Sequence, residues 1–521
     1  MSYRNRCCFS SASASLIKVS HLRITFRVSA WDGWSPTGEG FLAMNALRDF
    51  LTRVKSLPLY ALYLFYAIPA GLFLAAATPP FQTPDAANHF FRALHVAEGH
   101  ILGERIGAGD ADSGGRIDSA AVKFANLFES MKFHSDVKLS KAALTEGSQI
   151  AWSGVDSRIG FANTAIYPAY SYAPQAVAIK LGRLLRMKIL QAYRLACLAD
   201  LIFSVSLTCL AIALARRCRL LIFATALLPT TVMLFSSVSQ DAVIIPTFFF
   251  LIACFDWLVD SSKTLRVQWL IFMGLGFLLC ISSRPPYAGL LLMFLCPGLL
   301  VGGRDGRYEP VHRVFLCGVI GLVAVAAAVI FEKAAWFIPT PPRSVGGQFL
   351  FLMQNPGAVP KILINTLVLK TDLTYKSFIG VLGWLDAWMS GFFYWAAGAM
   401  LLLAIVGSVG LGRDRPKRTQ RWDRVVSALA LLSCAGMVYV AMYLTWTAVG
   451  GSFVEGVQGR YLICMFPLIG LLLPLVDLAR QTAPIQYFRY LRRFALLVVL
   501  IFPIYTYMEL VHTILVRYYL A

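Results

Sequence analysis

The sequence predicts an all-α integral membrane protein with about 11 transmembrane helices and two long outer-face loops. Three observations lead there. Of the 521 residues 58% are hydrophobic and only 14% charged, with a mean hydropathy of +0.65, which is more apolar surface than a soluble domain buries. Apolar runs long enough to span a bilayer recur along the chain. Short loops rich in Lys and Arg separate them on one side only, so the net charge of +20 follows the positive-inside pattern and no nucleic-acid partner is expected. The 11 Cys lie at the N-terminus (Cys7, Cys8) or within apolar runs (Cys197, Cys254, Cys280, Cys464), which implies neither a disulfide framework nor a Cys metal cluster.

In chain order, residues 1–57 read as a cytoplasmic segment. The first 43 lack a signal-peptide core, and Met44 opens a tidier start, so an over-extended reading frame is expected here. A membrane domain follows over 58–478, with spans near 58–78, 193–215, 219–237, 241–258, 266–283, 286–302, 312–332, 390–412, 424–447 and 461–478. Residues 479–521 supply a cytoplasmic linker and a last span near 494–516. Tyr167–Lys188, YPAYSYAPQAVAIKLGRLLRMK, is apolar as well, but its early prolines and basic end suit an interfacial helix. Charge decides the matter. If that segment does not cross, the clusters at Arg216, Arg217 and Arg219, at Lys263 and Arg266, at Arg304, Arg307 and Arg313, at Arg413 to Arg424 and at Arg480 to Arg493 all face the cytoplasm. The N-terminus is then inside, the C-terminus outside, and the loops 79–164 and 332–389 share the outer side. Loops of that length in a compact membrane protein are usually functional or linker, which directs attention to the outer face.

The first of these loops opens with TPDAANHFFRALHVAEG, Thr83–Gly99. Thr83 as N-cap, Pro84 at the first helical position and Gly99 as stop place Asp85, His89 and Arg92 on one helical face. The competing reading of Asp85 is plain complementation of the helix dipole. Asp241, in SSVSQDA, starts a span after a polar break and reads either as a site carboxylate or as a cap. Arg284, in SSRPPY, is a cation on the side the charge bias avoids; an anionic ligand or snorkelling to headgroups accounts for it. FIGVLGWLDAWM presents Trp384, Asp386 and Trp388, where an aromatic belt competes with a sugar platform. Glu455, Gln458, Arg460 and Tyr461 sit in a Gly-rich loop whose guanidinium suits phosphate, although a tight turn looks similar. Tyr167 and Tyr170, with Tyr172, are candidates to line an acceptor or lipid path. Walker A, dinucleotide, HExxH and nucleophile-elbow patterns are absent, so cytosolic nucleotide chemistry is not expected.

The order and spacing of PPFQTPDAANHFFRA, YPAYSYAPQ, the Arg194 region, LPTTVMLFSSVSQDA, FIGVLGWLDAWM and WTAVGGSFVEGVQGRYL, across Leu57–Leu478, resemble the bacterial membrane proteins grouped as domain of unknown function 2142. That family in turn resembles the GT-C superfamily of membrane glycosyltransferases. The resemblance implies a polyprenyl-phosphate-linked sugar donor, an envelope glycan or lipid acceptor, residence in the bacterial inner membrane and a site on its outer face. It implies Asp85 as catalytic base, with His89 orienting it or sharing the charge, and Arg284 and Arg460 on the lipid phosphate. The family's usual Asp-Glu pair is broken by Ala86. A lone carboxylate suits a metal-independent base, which leaves Mg or Mn as the cofactor to be tested. A flippase or transporter of lipid-linked sugars and a non-catalytic assembly protein are the alternatives.

Overall fold

The computed structural model describes residues 57–107, 112–261, 265–300, 309–335, 341–411, 417–476 and 483–520. The alternative start at Met44, Cys7 and Cys8, and the loop cations Lys263, Arg304, Arg307, Arg413, Arg415 and Arg480 lie outside them. The chain divides into two compact units at Leu62 and Tyr63, and the contacts described below fall within Tyr63–Ala521.

The protein is an all-α membrane protein. Among the described residues six helices are long and apolar enough to cross a bilayer: Leu59–Ala77, Ile189–Leu214, Asp241–Asp260, Val311–Ala334, Arg418–Thr445 and Pro484–Tyr518. Shorter apolar segments, Gln268–Ser283, Pro285–Leu295, Gly391–Gly407 and Arg460–Leu472, account for most of the remaining expected spans. We number the helices used below α1 (Leu59–Ala77), α2 (Ala86–Ala97), α3 (Ala173–Leu184), α4 (Ile189–Leu214), α5 (Arg219–Ala226), α6 (Pro229–Phe235), α7 (Asp241–Ser261), α8 (Val267–Ser283), α9 (Val345–Gln354), α10 (Ala358–Ile379), α11 (Gly391–Gly407), α12 (Lys417–Thr445), α13 (Arg460–Ile463) and α14 (Ala483–Tyr518).

Proline explains where the expected spans break. The run 219–237 becomes α5 and α6 because Pro229 lacks an N–H and holds Leu228 extended, at ψ 143°. The run after Pro285 and Pro286 winds as a 3₁₀ helix to Leu295. Tyr167–Lys188 yields a 3₁₀ turn at Ala169–Tyr172 and then α3, which together reach about 26 Å at most, short of the roughly 30 Å of bilayer hydrocarbon.

The first long loop carries structure of its own. Its α2 packs over a three-stranded antiparallel sheet, β1 (Glu104–Ile106), β2 (Asp112–Asp118) and β3 (Asp156–Gly160). Gly114 and Gly115 let β2 lie close to its neighbours: a Cβ on Gly114 would fall 1.9 Å from Ile159 O, and one on Gly115 would strike the His95 ring. The second loop also folds, as α9, α10 and a short hairpin, β4 (Val381–Leu382) with β5 (Ala387–Trp388). The two loops and the end of α14 meet. Trp384 Nε1 donates to Phe81 O, Leu139 N to Tyr518 O, and Tyr519 Oη to Ala77 O at the end of α1.

The turn between α4 and α5 is held by Asp256 of α7. Its buried Oδ2 accepts from the backbone N–H groups of Arg216, Arg217 and Cys218 at 2.7, 2.8 and 3.0 Å, and its Oδ1 meets Arg217 Nε at 3.4 Å. Replacing Asp256 by Ala leaves three donors and a guanidinium without their acceptor. The expected cost is about 3–5 kcal/mol, read as a lowered thermal midpoint in detergent, with Asp256→Asn intermediate.

Candidate active site

Asp85 immediately precedes α2 and has φ 59°, ψ 14°, a left-handed conformation that the short polar side chains of Asp and Asn tolerate best among residues with a Cβ. This corrects the expected helix start at Thr83. A residue with positive φ cannot continue a right-handed helix, so the helix begins at Ala86, and the buried Thr83 Oγ1 makes no capping bond. The Asp85 carbonyl still accepts from His89 N at 2.9 Å, while its carboxylate turns off the helix axis. Oδ1 accepts from Asn163 Nδ2 at 3.1 Å, and Asn163 Oδ1 in turn accepts from Asn88 Nδ2 at 2.6 Å. Oδ2 lies 3.3 Å from Arg460 Nη2, and the side chain remains 34% exposed, the most accessible of the charges gathered here.

Asp241 opens α7 after the non-helical stretch Ser236–Gln240. Buried backbone without helical partners must be satisfied by other groups. Asp200 Oδ2 of α4 accepts from Ser239 N, Gln175 Nε2 of α3 donates to Ser239 O, and Ser239 Oγ accepts from Asp241 N. So supported, Asp241 Oδ1 pairs with Arg284 Nη2, and Oδ2 lies 3.8 Å from Arg460 Nη1. Arg284 follows α8, where Pro285 stops the helix. The Arg284 and Arg460 guanidiniums lie 4.8 and 5.2 Å from the Tyr461 ring. Gly459 sets the position of Arg460: a Cβ there would lie 2.0 Å from Phe378 N and 2.3 Å from Thr374 O of α10.

Two carboxylates and two guanidiniums therefore interlock, their formal charges cancelling, although Asp241 and Arg460 are almost fully buried. The Nε–H groups of Arg284 and Arg460 are buried without an acceptor. Such a site has donors to spare for an oxyanion. His89 lies alongside, its Nδ1 2.7 Å from Tyr172 Oη and its ring stacked 6.4 Å from Tyr167. Burial pushes its pKa down to about 4, against the smaller opposing pull of Asp85 and Asp241, so the imidazole is neutral near pH 7. Burial likewise raises the Tyr172 phenol.

A family model described as predicted membrane protein, domain of unknown function 2142, matches residues 69–469. The chain belongs to this family. No curated protein and no solved structure matches it.

The match takes in every candidate site residue of this family member, yet the structure gathers only some of them. Asp85, His89, Asp241, Arg284, Arg460, Tyr461 and Tyr167 come together. Arg92 does not join the quartet; it is buried and donates to the carbonyls of Tyr167, His100 and Ile101 and to His95. Its charge is used to hold the turn after α2 to the segment before α3. Asp386 instead pairs with Arg517 at 2.8 Å and accepts from Trp384 N in the β4–β5 turn. Tyr170 Oη bonds Ser282 Oγ just before Arg284. Glu455 is half-buried and its amide donates to Thr447 Oγ1, so it shapes the loop before Arg460. Gln458 closes the turn into α13, its carbonyl accepting from Tyr461 N. Asn88, Asn163, Asp200 and Gln175 are additional site residues; of these only Asp200, a carboxylate inside an apolar run, carries a signal readable from sequence.

Among the described residues one group of metal-type side chains lies together, His95, His100 and Glu104, with ligand atoms within 4.8 Å of one another. Arg92 Nη1 faces His95 Nδ1 at 2.9 Å. A guanidinium only donates, so Nδ1 accepts and Nε2 keeps the proton, leaving no lone pair towards Glu104. Burial and Arg92 together hold His95 at about 3, and the imidazole stays neutral.

The ordinary histidine pKa is 6.5, while His89 and His95 in the fold take up protons only near 4 and 3. Between these values the unfolded chain binds more protons, so stability falls as the pH is lowered through that window. The thermal midpoint in detergent should drop over this range, with a shallower slope in His89→Gln. Gly459→Ala should lower the midpoint at all pH values, by about 1–3 kcal/mol of overpacking, because its neighbours are backbone atoms.

Proposed function

We propose that the protein is a membrane glycosyltransferase that takes a sugar from a polyprenyl-phosphate-linked donor and transfers it to an envelope glycan or lipid acceptor. The observation that carries this reading is the meeting of Asp85, Asp241, Arg284 and Arg460, of which the Asp85 carboxylate stays accessible, with two guanidinium Nε–H groups unfilled. Asp85 removes the proton from the acceptor hydroxyl as that oxygen attacks the anomeric carbon. The bond from that carbon to the lipid phosphate oxygen breaks, and the phosphate leaves with the bonding electrons. Arg284 and Arg460 take up the charge that develops there. The phosphate then competes with Asp85 for Arg460, so donor binding frees the base. His89, neutral and held by Tyr172, orients groups by hydrogen bonding and shares no charge.

The residues around Asp85 do not fit Mg or Mn. The position after Asp85 is Ala86, and Arg460 stands 3.3 Å from the carboxylate, where it opposes a divalent cation. No step is routed through a metal. We assign the site to the outer face of the inner membrane, with residues 1–57 cytoplasmic, 58–478 as the catalytic membrane domain and 479–521 as linker and last span. The contacts of Tyr518 and Tyr519 with Leu139 and Ala77 support putting the C-terminal end of α14 on the side of the first loop.

The experiment is release of polyprenyl phosphate from a panel of lipid-linked sugars by purified protein, with Mg, with Mn and with chelator. Asp85→Asn keeps a side chain suited to the left-handed backbone and should lower release by roughly 10²–10⁴-fold. Arg460→Gln should lower it by roughly 10²–10³-fold. Chelator should leave the wild type unchanged. Release that survives Asp85→Asn removes the base assignment, and no release from any donor turns the reading to lipid transport or assembly.

A further inference from the structure

The region expected as a water-side loop, 332–389, contains α9 and α10, and their outward faces are apolar. Phe349, Leu350 and Met353 of α9 and Ile364, Leu367 and Val368 of α10 are 56–77% exposed. On α10 the last three follow the i, i+3, i+4 spacing of one stripe. The other side is fixed to the protein: Thr366 Oγ1 accepts from Val454 N, Ser377 Oγ accepts from Gly459 N, and Ile362 packs with Tyr443, Val454 and Val457. In water such a stripe would be a large exposed apolar patch. Three features say what covers it. Lys361 and Lys370 bracket the stripe and no acidic residue precedes Asp372 on the helix, the arrangement of a surface helix whose lysines reach phosphate headgroups. The helix is continuous with a membrane face, since Tyr375 Oη donates to Tyr394 O of α11, an apolar helix exposing Phe392 and Trp395. Trp388 of β5, Trp395 of α11 and Trp446 just after α12, on segments neighbouring α10, are exposed, as at the depth where bilayer meets water.

We infer that α9 and α10 form a helical pair lying in the interface of one leaflet, with the Ile364–Leu367–Val368 stripe among lipid chains and the opposite side carrying the loop that ends in Arg460. This places the Arg460 guanidinium on a support set at headgroup depth, where an anion attached to a long apolar chain reaches it sideways from the bilayer. The surface assignment stands whether or not the transferase reading holds.

The test is photo-crosslinking of the full chain in vesicles of phosphatidylethanolamine and phosphatidylglycerol. Benzoylphenylalanine is placed at Ile364, at Val368 and, as the water-facing control, at Glu146 on the polar helix Lys141–Gln149 of the first long loop. These positions are exposed, so the substitutions leave the packed side of α10 untouched. The expected result is phospholipid adducts at Ile364 and Val368 and none at Glu146. Adducts to polypeptide at Ile364 and Val368, meaning a protein partner or second copy, overturn the inference. So does the absence of any adduct there, or lipid labelling equally strong at Glu146.

Discussion

A guanidinium buried in an apolar protein must be met by acceptors, and Arg460 is met by two carboxylates far from it and from each other in sequence, Asp85 of the first long loop and Asp241 at the start of α7. Taking such a charge out of water costs several kcal/mol, recovered only if its partners are close and well placed. Asp85 at 3.3 Å and Asp241 at 3.8 Å therefore have to be brought to it. Much of the surrounding architecture is the means of doing so. The left-handed turn at Asp85, the helix break before Asp241 and the glycine before Arg460 each depart from regular geometry at a point where a charge must be aimed.

Those departures also explain what could be read in the chain. The apolar spans were legible, because hydropathy and length answer directly to bilayer thickness. The interruptions at Pro229 and Pro285 follow from the missing N–H of proline. Asp241, Arg284 and Arg460 stood out as charges against an apolar or charge-biased background, and the structure gathers all three. Arg92 and Asp386 stood out equally, yet they serve the folding of the loops. An ionisable residue signals that it has a partner, and the identity of that partner is a three-dimensional fact. Asn163 and Gln175 had no signal at all, being ordinary polar residues whose role depends on the hydrogen bonds their amides make in the fold.

The three-stranded sheet and the pair α9–α10 were hidden for different reasons. The sheet is short and rich in glycine, so neither alternation nor β-branched content marks it. Of the pair, α9 has only ten residues, too few for a span, and the apolar residues of α10 are interrupted by lysines, asparagine and threonines, which lowers the hydropathy of the segment below that of a span while leaving an exposed apolar stripe.

The end of α14 has a further consequence. Arg517 donates to Met131 O and Val137 O, Lys138 donates to Val516 O, and Tyr518 donates to Gln82 O, so the first long loop completes its hydrogen bonding with groups about 400 residues further along the chain. A ribosome delivers those partners long after the loop itself. Until residues near 518 have been made, the loop bearing Asp85 lacks its final contacts and stays open to proteases and chaperones. The maturation of the site is thereby tied to the placement of α14, and a chain stalled before it would display an unfinished loop by which it can be recognised and removed.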